Sequence, residues 1–229
     1  MSQHSQTLSN ATALMIHGAG GGGWEFRFWE PAFVRGGFDV LALDLAASPL
    51  GLENTNLNDY LEQAIMLGSS RRPVLVGASM GAAIAMLAVG WLDVRALILV
   101  VPAVPGELER TYPQVIRWAG GAYSDTVASM PEADDETVLF AHERWRDESG
   151  RVLNEISMLA EIPAPRCPTL VIVAEDDEVV SADRQLELAD RLRADRIIIP
   201  AASHLAPLLS RRAAGVAEAA VDWLLRNLG

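Results

Sequence analysis

The chain contains no lysine; all 18 of its basic side chains are arginines. That excludes Schiff-base catalysis and every mechanism that needs a lysine ammonium. Cysteine is almost as scarce. The lone Cys167 cannot form an internal disulfide, which fits a reducing compartment, and it reads as filler ahead of a strand. No uninterrupted apolar run reaches transmembrane length. The opening stretch from Met1 to Thr12 is polar and lacks the basic start, apolar core and small-residue cleavage site of a secretory signal. The expectation is therefore a cytoplasmic protein with no membrane partner. Positive charge is also in short supply: the net charge is −12, and no basic face is visible, so nucleic acid is excluded as a partner. Acidic residues are densest from Glu132 to Glu136, with neither a nearby histidine nor calcium-loop spacing. They read as a solvated loop, and no metal or organic cofactor is expected.

What is present is a core. Half of the 229 residues are apolar, enough to build a single domain spanning residues 1–229. Short runs rich in Val, Ile and Leu occur at Ala13–Ile16, Phe38–Leu43, Pro73–Gly77, Ala96–Val101, Thr169–Ala174 and Arg196–Pro200. None alternates cleanly between polar and apolar, so each reads as a strand buried on both faces of a parallel sheet. Amphipathic stretches at Glu25–Arg35, Asn58–Leu67, Met80–Trp91, Ala182–Arg193 and Leu208–Asn227 read as the intervening helices. Repeated β-α order predicts an α/β fold, with a doubly wound, mostly parallel sheet of about six strands and helices on both faces. Between Val101 and Thr169 the rhythm breaks. That interval carries no strand signal, is punctuated by prolines and holds several aromatics. A structureless loop of such length would be unusual, so residues 103–166 are predicted to form a small helical cap over the carboxyl ends of the strands.

Chemistry concentrates at Gly77-Ala78-Ser79-Met80-Gly81, where a buried strand runs into an Ala-rich helix. A serine on so sharp a strand-to-helix turn needs a strained backbone, and glycines two before and two after remove the side chains that would collide. The turn also places Ser79 at a helix N-terminus, where partial positive charge favours a developing oxyanion. A nucleophilic serine needs a base, and there are four histidines. His4 sits in the polar tail, His142 among charged residues of the cap, and His17 in a loop it would order. His204 follows the last strand, and a loop at that end converges on the rim that carries Ser79. Its orienting acid should leave the strand Thr169–Ala174, where Asp176 and Asp177 are both short enough to serve. Either choice gives the chain order Ser, Asp, His.

The loop Gly18-Ala19-Gly20-Gly21-Gly22-Gly23 permits two readings. It satisfies G-x-G-x-x-G after a strand, with Asp44 ending the next strand, which would suit an NAD(P)-dependent oxidoreductase. Bulky Trp24, Glu25, Phe26 and Arg27 stand where a dinucleotide fold wants close helix–strand packing, and that reading leaves Ser79 and His204 without a role. In the other reading the glycines bring backbone close to a substrate carbonyl, so that the N–H groups of Ala19 and Met80 hold the oxyanion.

The His17-Gly18 loop after a strand, the Gly77–Gly81 elbow, the Asp176-Asp177 turn and the late His204 together resemble the α/β-hydrolase family. His17-Gly-Ala-Gly-Gly-Gly-Gly23-Trp24 is particularly similar to its plant methyl esterase and hydroxynitrile lyase branch. The resemblance aligns Asp177 with the family acid, although Ala174 and Ser181 replace the usual glycine and proline of that turn. It implies Ala19 and Met80 as oxyanion donors. The lyases of that branch use a lysine, so their activity is not expected. The expected function is hydrolysis of a carboxylic ester, thioester or lactone of a small apolar substrate by Ser79, Asp177 and His204. Trp118, Trp145 and His142 are the expected substrate-binding residues of the cap. The alternatives are a non-hydrolytic ligand-binding member of the same fold and the dinucleotide-dependent oxidoreductase.

Overall fold

A computed structural model describes residues 11–106 and 111–228; His4 lies outside them. Among these residues six strands form one parallel sheet: β1 (Ala11–Ile16), β2 (Phe38–Leu43), β3 (Val74–Ala78), β4 (Ala96–Val100), β7 (Thr169–Ala174) and β8 (Asp195–Ile199). Two further short strands, β5 (Val115–Ile116) and β6 (Glu148–Ser149), form a separate antiparallel pair. The spatial order of the main sheet is β2-β1-β3-β4-β7-β8, with Leu14 of β1 opposite Leu41 and Leu75 on its two neighbours.

Successive strand side chains point to opposite faces, so each continuous apolar run feeds two cores. Ala13, Met15, Val76, Ile98 and Ile172 face one side, packed with Trp29 and Phe33 and with Val216, Ala220 and Trp223 of the C-terminal helix. Leu14, Ile16, Leu75, Leu97 and Val171 face the other, against helices α2 (Leu57–Gly68), α3 (Met80–Ala88) and α7 (Ala182–Leu192). Helix α3 is apolar around almost its whole circumference and is accordingly buried there. Helix α2 begins at a capping box, in which Asn56 and Asp59 satisfy each other's backbone N–H groups.

Three expected segments are interrupted. The stretch expected as one helix from Glu25 to Arg35 is a 3-10 turn (Gly23–Phe26) followed by α1 (Glu30–Arg35), with Pro31 in its first turn. The C-terminal helix is broken into α8 (Ala206–Leu209) and α9 (Ala213–Leu228). At the break the Ser210 hydroxyl donates to Ala206 O at 2.7 Å and accepts the Arg212 N–H at 3.0 Å, replacing lost ladder bonds. The long connection between β4 and β7 contains α4 (Tyr123–Ser129), α5 (Asp135–His142) and α6 (Gly150–Ser157). It also contains the β5–β6 pair, whose two-residue strands are too short to leave a periodic signal. Nor is the acidic stretch at its centre simply solvated. Asp134 caps α5 through the Thr137 N–H, and Glu132 accepts both the N–H and the hydroxyl of Ser203, at 2.7 and 2.6 Å.

Candidate active site

Ser79 joins β3 to α3 with φ 50° and ψ −115°, a positive-φ conformation that costs a non-glycine residue energy and is kept only where the surroundings enforce it. Neighbours on both sides enforce it here. The Ser79 N–H donates to Val100 O at 2.9 Å, and the Ser79 carbonyl accepts from Ala82 and Ala103. The flanking glycines are steric necessities. A Cβ on Gly77 would lie 2.6 Å from Ala82 Cα, and one on Gly81 would run into the Ile16 and His17 carbonyls.

His204 leaves the loop after β8 and meets Ser79, with 2.9 Å between Nε2 and the serine Oγ. Its Nδ1 lies 2.7 Å from Asp177 Oδ2. An Asp177 carboxylate can only accept, so a neutral His204 ring carries its proton on Nδ1 and leaves Nε2 open to the Ser79 hydroxyl. The Asp177 side chain is wholly buried. Its Oδ1 accepts the N–H groups of Val179 and Val180, while Oδ2 also accepts from Gln185 Nε2 at 2.8 Å. Asp176 is exposed and, among the described residues, bonds only through its backbone N–H, to Ala202 O. The geometry thus joins Ser79 to His204 and Asp177, and leaves Asp176 outside. Gln185 is a residue that sequence reasoning missed. It is a polar residue on the buried side of α7, and only the fold shows that it also braces Val180 O and β7.

The glycine loop lies against this serine: a Cβ on Gly18 would sit 3.4 Å from that of Ser79. Carboxylates take three of its six N–H groups. Gly18 donates to Glu25 Oε2 at 2.9 Å, Gly20 to Glu148 Oε2 at 3.1 Å and Gly23 to Asp44 Oδ1 at 2.8 Å. The N–H groups of Ala19 and Met80 have no acceptor among the described residues. This pattern opposes a dinucleotide site. Three of the amides that would cradle a pyrophosphate are already spent on acidic side chains, and Asp44 holds the loop rather than a ribose.

Two titratable groups under the loop are shifted by burial. Glu25 is fully enclosed, and desolvation raises its pKa from 4.5 to about 7 against the opposing pull of the Gly18 N–H and Arg146. His17 is also enclosed, and desolvation lowers its pKa from 6.5 to about 4. As a neutral ring it donates from Nδ1 to Gly18 O at 2.6 Å, and its Nε2 accepts the Leu45 N–H at 3.1 Å. It orders the loop, as its position in the sequence suggests.

The three residues expected to bind substrate lie in different settings. The Trp118 ring covers Gly20, so closely that a Cβ there would come within 2.7 Å of it. Trp145 packs edge-on against Trp24, with ring centroids 5.0 Å apart. His142 is engaged inside the connection itself, 3.1 Å from the Thr126 hydroxyl and edge-on to Tyr123. Trp118 and Trp145 thus adjoin the loop segment 20–24, and His142 bridges α4 and α5.

Residues 13–219 match the alpha/beta hydrolase family, and the chain belongs to that family. No curated protein matches the sequence. Solved structures with the same architecture include a methylesterase from Arabidopsis, with TM-score 0.71 and 17% identity over 94% of this chain and 97% of that one. A pyrethroid hydrolase from Sphingobium faniae gives TM-score 0.72 and 19% identity over 94% and 98%. A tomato methylketone synthase variant complexed with beta-ketoheptanoate gives TM-score 0.72 and 15% identity over 96% and 99%. At these identities the likeness is one of fold.

Proposed function

We propose that the protein is a serine hydrolase that cleaves carboxylic esters of modest, mostly apolar substrates through an acyl-enzyme. The observation that carries this reading is the hydrogen-bonded chain from Ser79 Oγ through His204 to the buried Asp177. His204 Nε2 takes the Ser79 proton as Oγ attacks the ester carbonyl carbon. The carbonyl oxygen gains charge and is held by the Ala19 and Met80 amides. Collapse of the adduct breaks the bond to the alcohol, which leaves with the proton from His204. Water then attacks the acyl-enzyme with His204 again as base, releasing the acid and restoring Ser79. Asp177 stabilises the imidazolium without taking its proton. The connection between β4 and β7 acts as a cap, and Trp118 and Trp145 give the acyl side apolar surface beside the glycine loop.

Turnover of p-nitrophenyl acetate and butyrate tests the reading. Nitrophenol release should fall to the uncatalysed background in Ser79→Ala. A fluorophosphonate probe should label the wild-type protein and lose that labelling in His204→Ala. A folded wild-type protein with no turnover above Ser79→Ala would favour the non-hydrolytic ligand-binding alternative.

A further inference from the structure

We propose that Glu148 and Arg146, carried by the connection between β4 and β7, are positioning residues that aim the Ala19 N–H at the oxyanion. This rests on the serine-hydrolase reading above and extends it. A loop of four consecutive glycines at positions 20–23 has little intrinsic preference for one conformation, because glycine reaches backbone regions closed to other residues. Left to itself it would hold Ala19 in no fixed direction, and a misaligned N–H binds an oxyanion weakly.

The fixed direction comes from outside the loop. Its own short-range bond, from Gly21 N–H to Gly18 O, is long at 3.3 Å. Arg146 reaches in with both backbone and side chain: its N–H donates to Gly20 O at 2.8 Å, and its Nε donates to Gly21 O at 2.7 Å. Its Nη2 lies 3.0 Å from His17 Nε2, the ring that holds Gly18 O. Glu148 then takes the Gly20 N–H. The peptide groups on either side of Ala19 are thereby secured, at Gly18 by Glu25 and at Gly20 by Glu148. The Ala19 N–H between them is left without a partner among the described residues.

Glu148 is itself anchored. Its other oxygen accepts the Tyr60 hydroxyl and the Ser149 N–H, each at 2.7 Å, which ties the clamp to α2. Alternation of side chains along an extended segment explains how one short run does this. Arg146 and Glu148 point to the loop, while Asp147 between them accepts the Trp118 and Ala119 N–H groups, both at 3.0 Å. The same segment therefore places the donor loop and the tryptophan that covers Gly20. A segment that served only to shield the site from water would not need a carboxylate and a guanidinium spent on backbone groups of the opposite wall.

The test compares p-nitrophenyl butyrate with its thionobutyrate analogue. Sulfur is a poor acceptor of N–H hydrogen bonds, so an intact oxyanion hole favours the oxygen ester, and a damaged one loses that preference. Glu148→Gln offers one oxygen to the three donors now shared by two. It should lower kcat about 10- to 100-fold with KM within about twofold, in line with the cost of misplacing or losing an oxyanion donor. The oxygen-to-sulfur rate ratio should shrink by a similar factor. Arg146→Gln, which removes the bond to Gly21 O, should shift the ratio in the same direction and serves if Glu148→Gln does not fold. An unchanged ratio in whichever variants fold, with an active wild type, overturns this inference alone. A wild type inactive on both esters overturns the hydrolase reading and this inference with it.

Discussion

Glu25→Gln isolates the energetic consequence of enclosing an acid beneath the glycine loop. In the folded protein Glu25 holds its proton up to about pH 7, against 4.5 for a solvated glutamate. Between those values the unfolded chain has released the proton and the folded chain has not, so stability falls as pH rises through this window. At about 1.4 kcal/mol per pH unit, the gap from 4.5 to about 7 amounts to about 3 kcal/mol, present below pH 4.5 and lost above pH 7. His17 works in the opposite sense: its folded pKa of about 4 against 6.5 makes stability rise with pH across an overlapping window. The two slopes nearly cancel, and the wild-type curve hides both. The substituted glutamine has no proton to lose, resembles the protonated acid in shape, and keeps an oxygen for the Gly18 N–H. Near pH 4 the variant should therefore match the wild type. By pH 8 it should be more stable by up to about 3 kcal/mol, or roughly 6 to 12 °C in Tm for a chain of this size. Paired thermal melts from pH 4 to 8 measure the difference directly, because every other titrating group is common to both proteins. A Tm difference that stays constant across that range would refute the argument that burial governs Glu25.

Three further substitutions test the elbow and its acid. Asp177→Asn should lower kcat for p-nitrophenyl butyrate by on the order of 10⁴-fold, through loss of the Nδ1–H tautomer of His204. Asp176→Asn, at an exposed side chain with no hydrogen bond to His204 among the described residues, should stay within about twofold in the same assay. Gly81→Ala drives a methyl group into the Ile16 and His17 carbonyls. It should destabilise the fold by about 3 kcal/mol or more, read as a lowered midpoint in guanidinium denaturation at unchanged slope.

The parts legible in the sequence are those whose cause is local. A run such as Thr169–Ala174 declares itself a strand because six consecutive buried positions leave no room for a polar residue at its centre. The elbow is legible because both glycines answer to clashes within the turn or with the adjacent strand. His204 is assignable because the topology of a parallel sheet brings the loop after the last strand to the rim of Ser79. The choice between Asp176 and Asp177 is different. Two adjacent carboxylates are equivalent until the backbone bonds of Val179 and Val180 decide which one turns inward.

What stays hidden depends on distance along the chain. Arg146 and Glu148 stand in a run of charge, Arg144 to Glu148, that has the composition of a solvated face. Nothing within that run says that Arg146 and Glu148 meet a glycine loop more than a hundred positions earlier. The glycines are ambiguous for a related reason. Their spacing states only that backbone is accessible, and phosphates and oxyanions both use accessible backbone. The partners of the amides favour an oxyanion over a phosphate. A phosphate cradle needs several free N–H groups converging on one anion, whereas here the amides of Gly18, Gly20 and Gly23 end on carboxylates, and the one at Ala19 is left open. An open donor at Ala19, beside Ser79 and across from the start of α3, suits one oxygen atom, which is the size of the charge that attack by Ser79 would create.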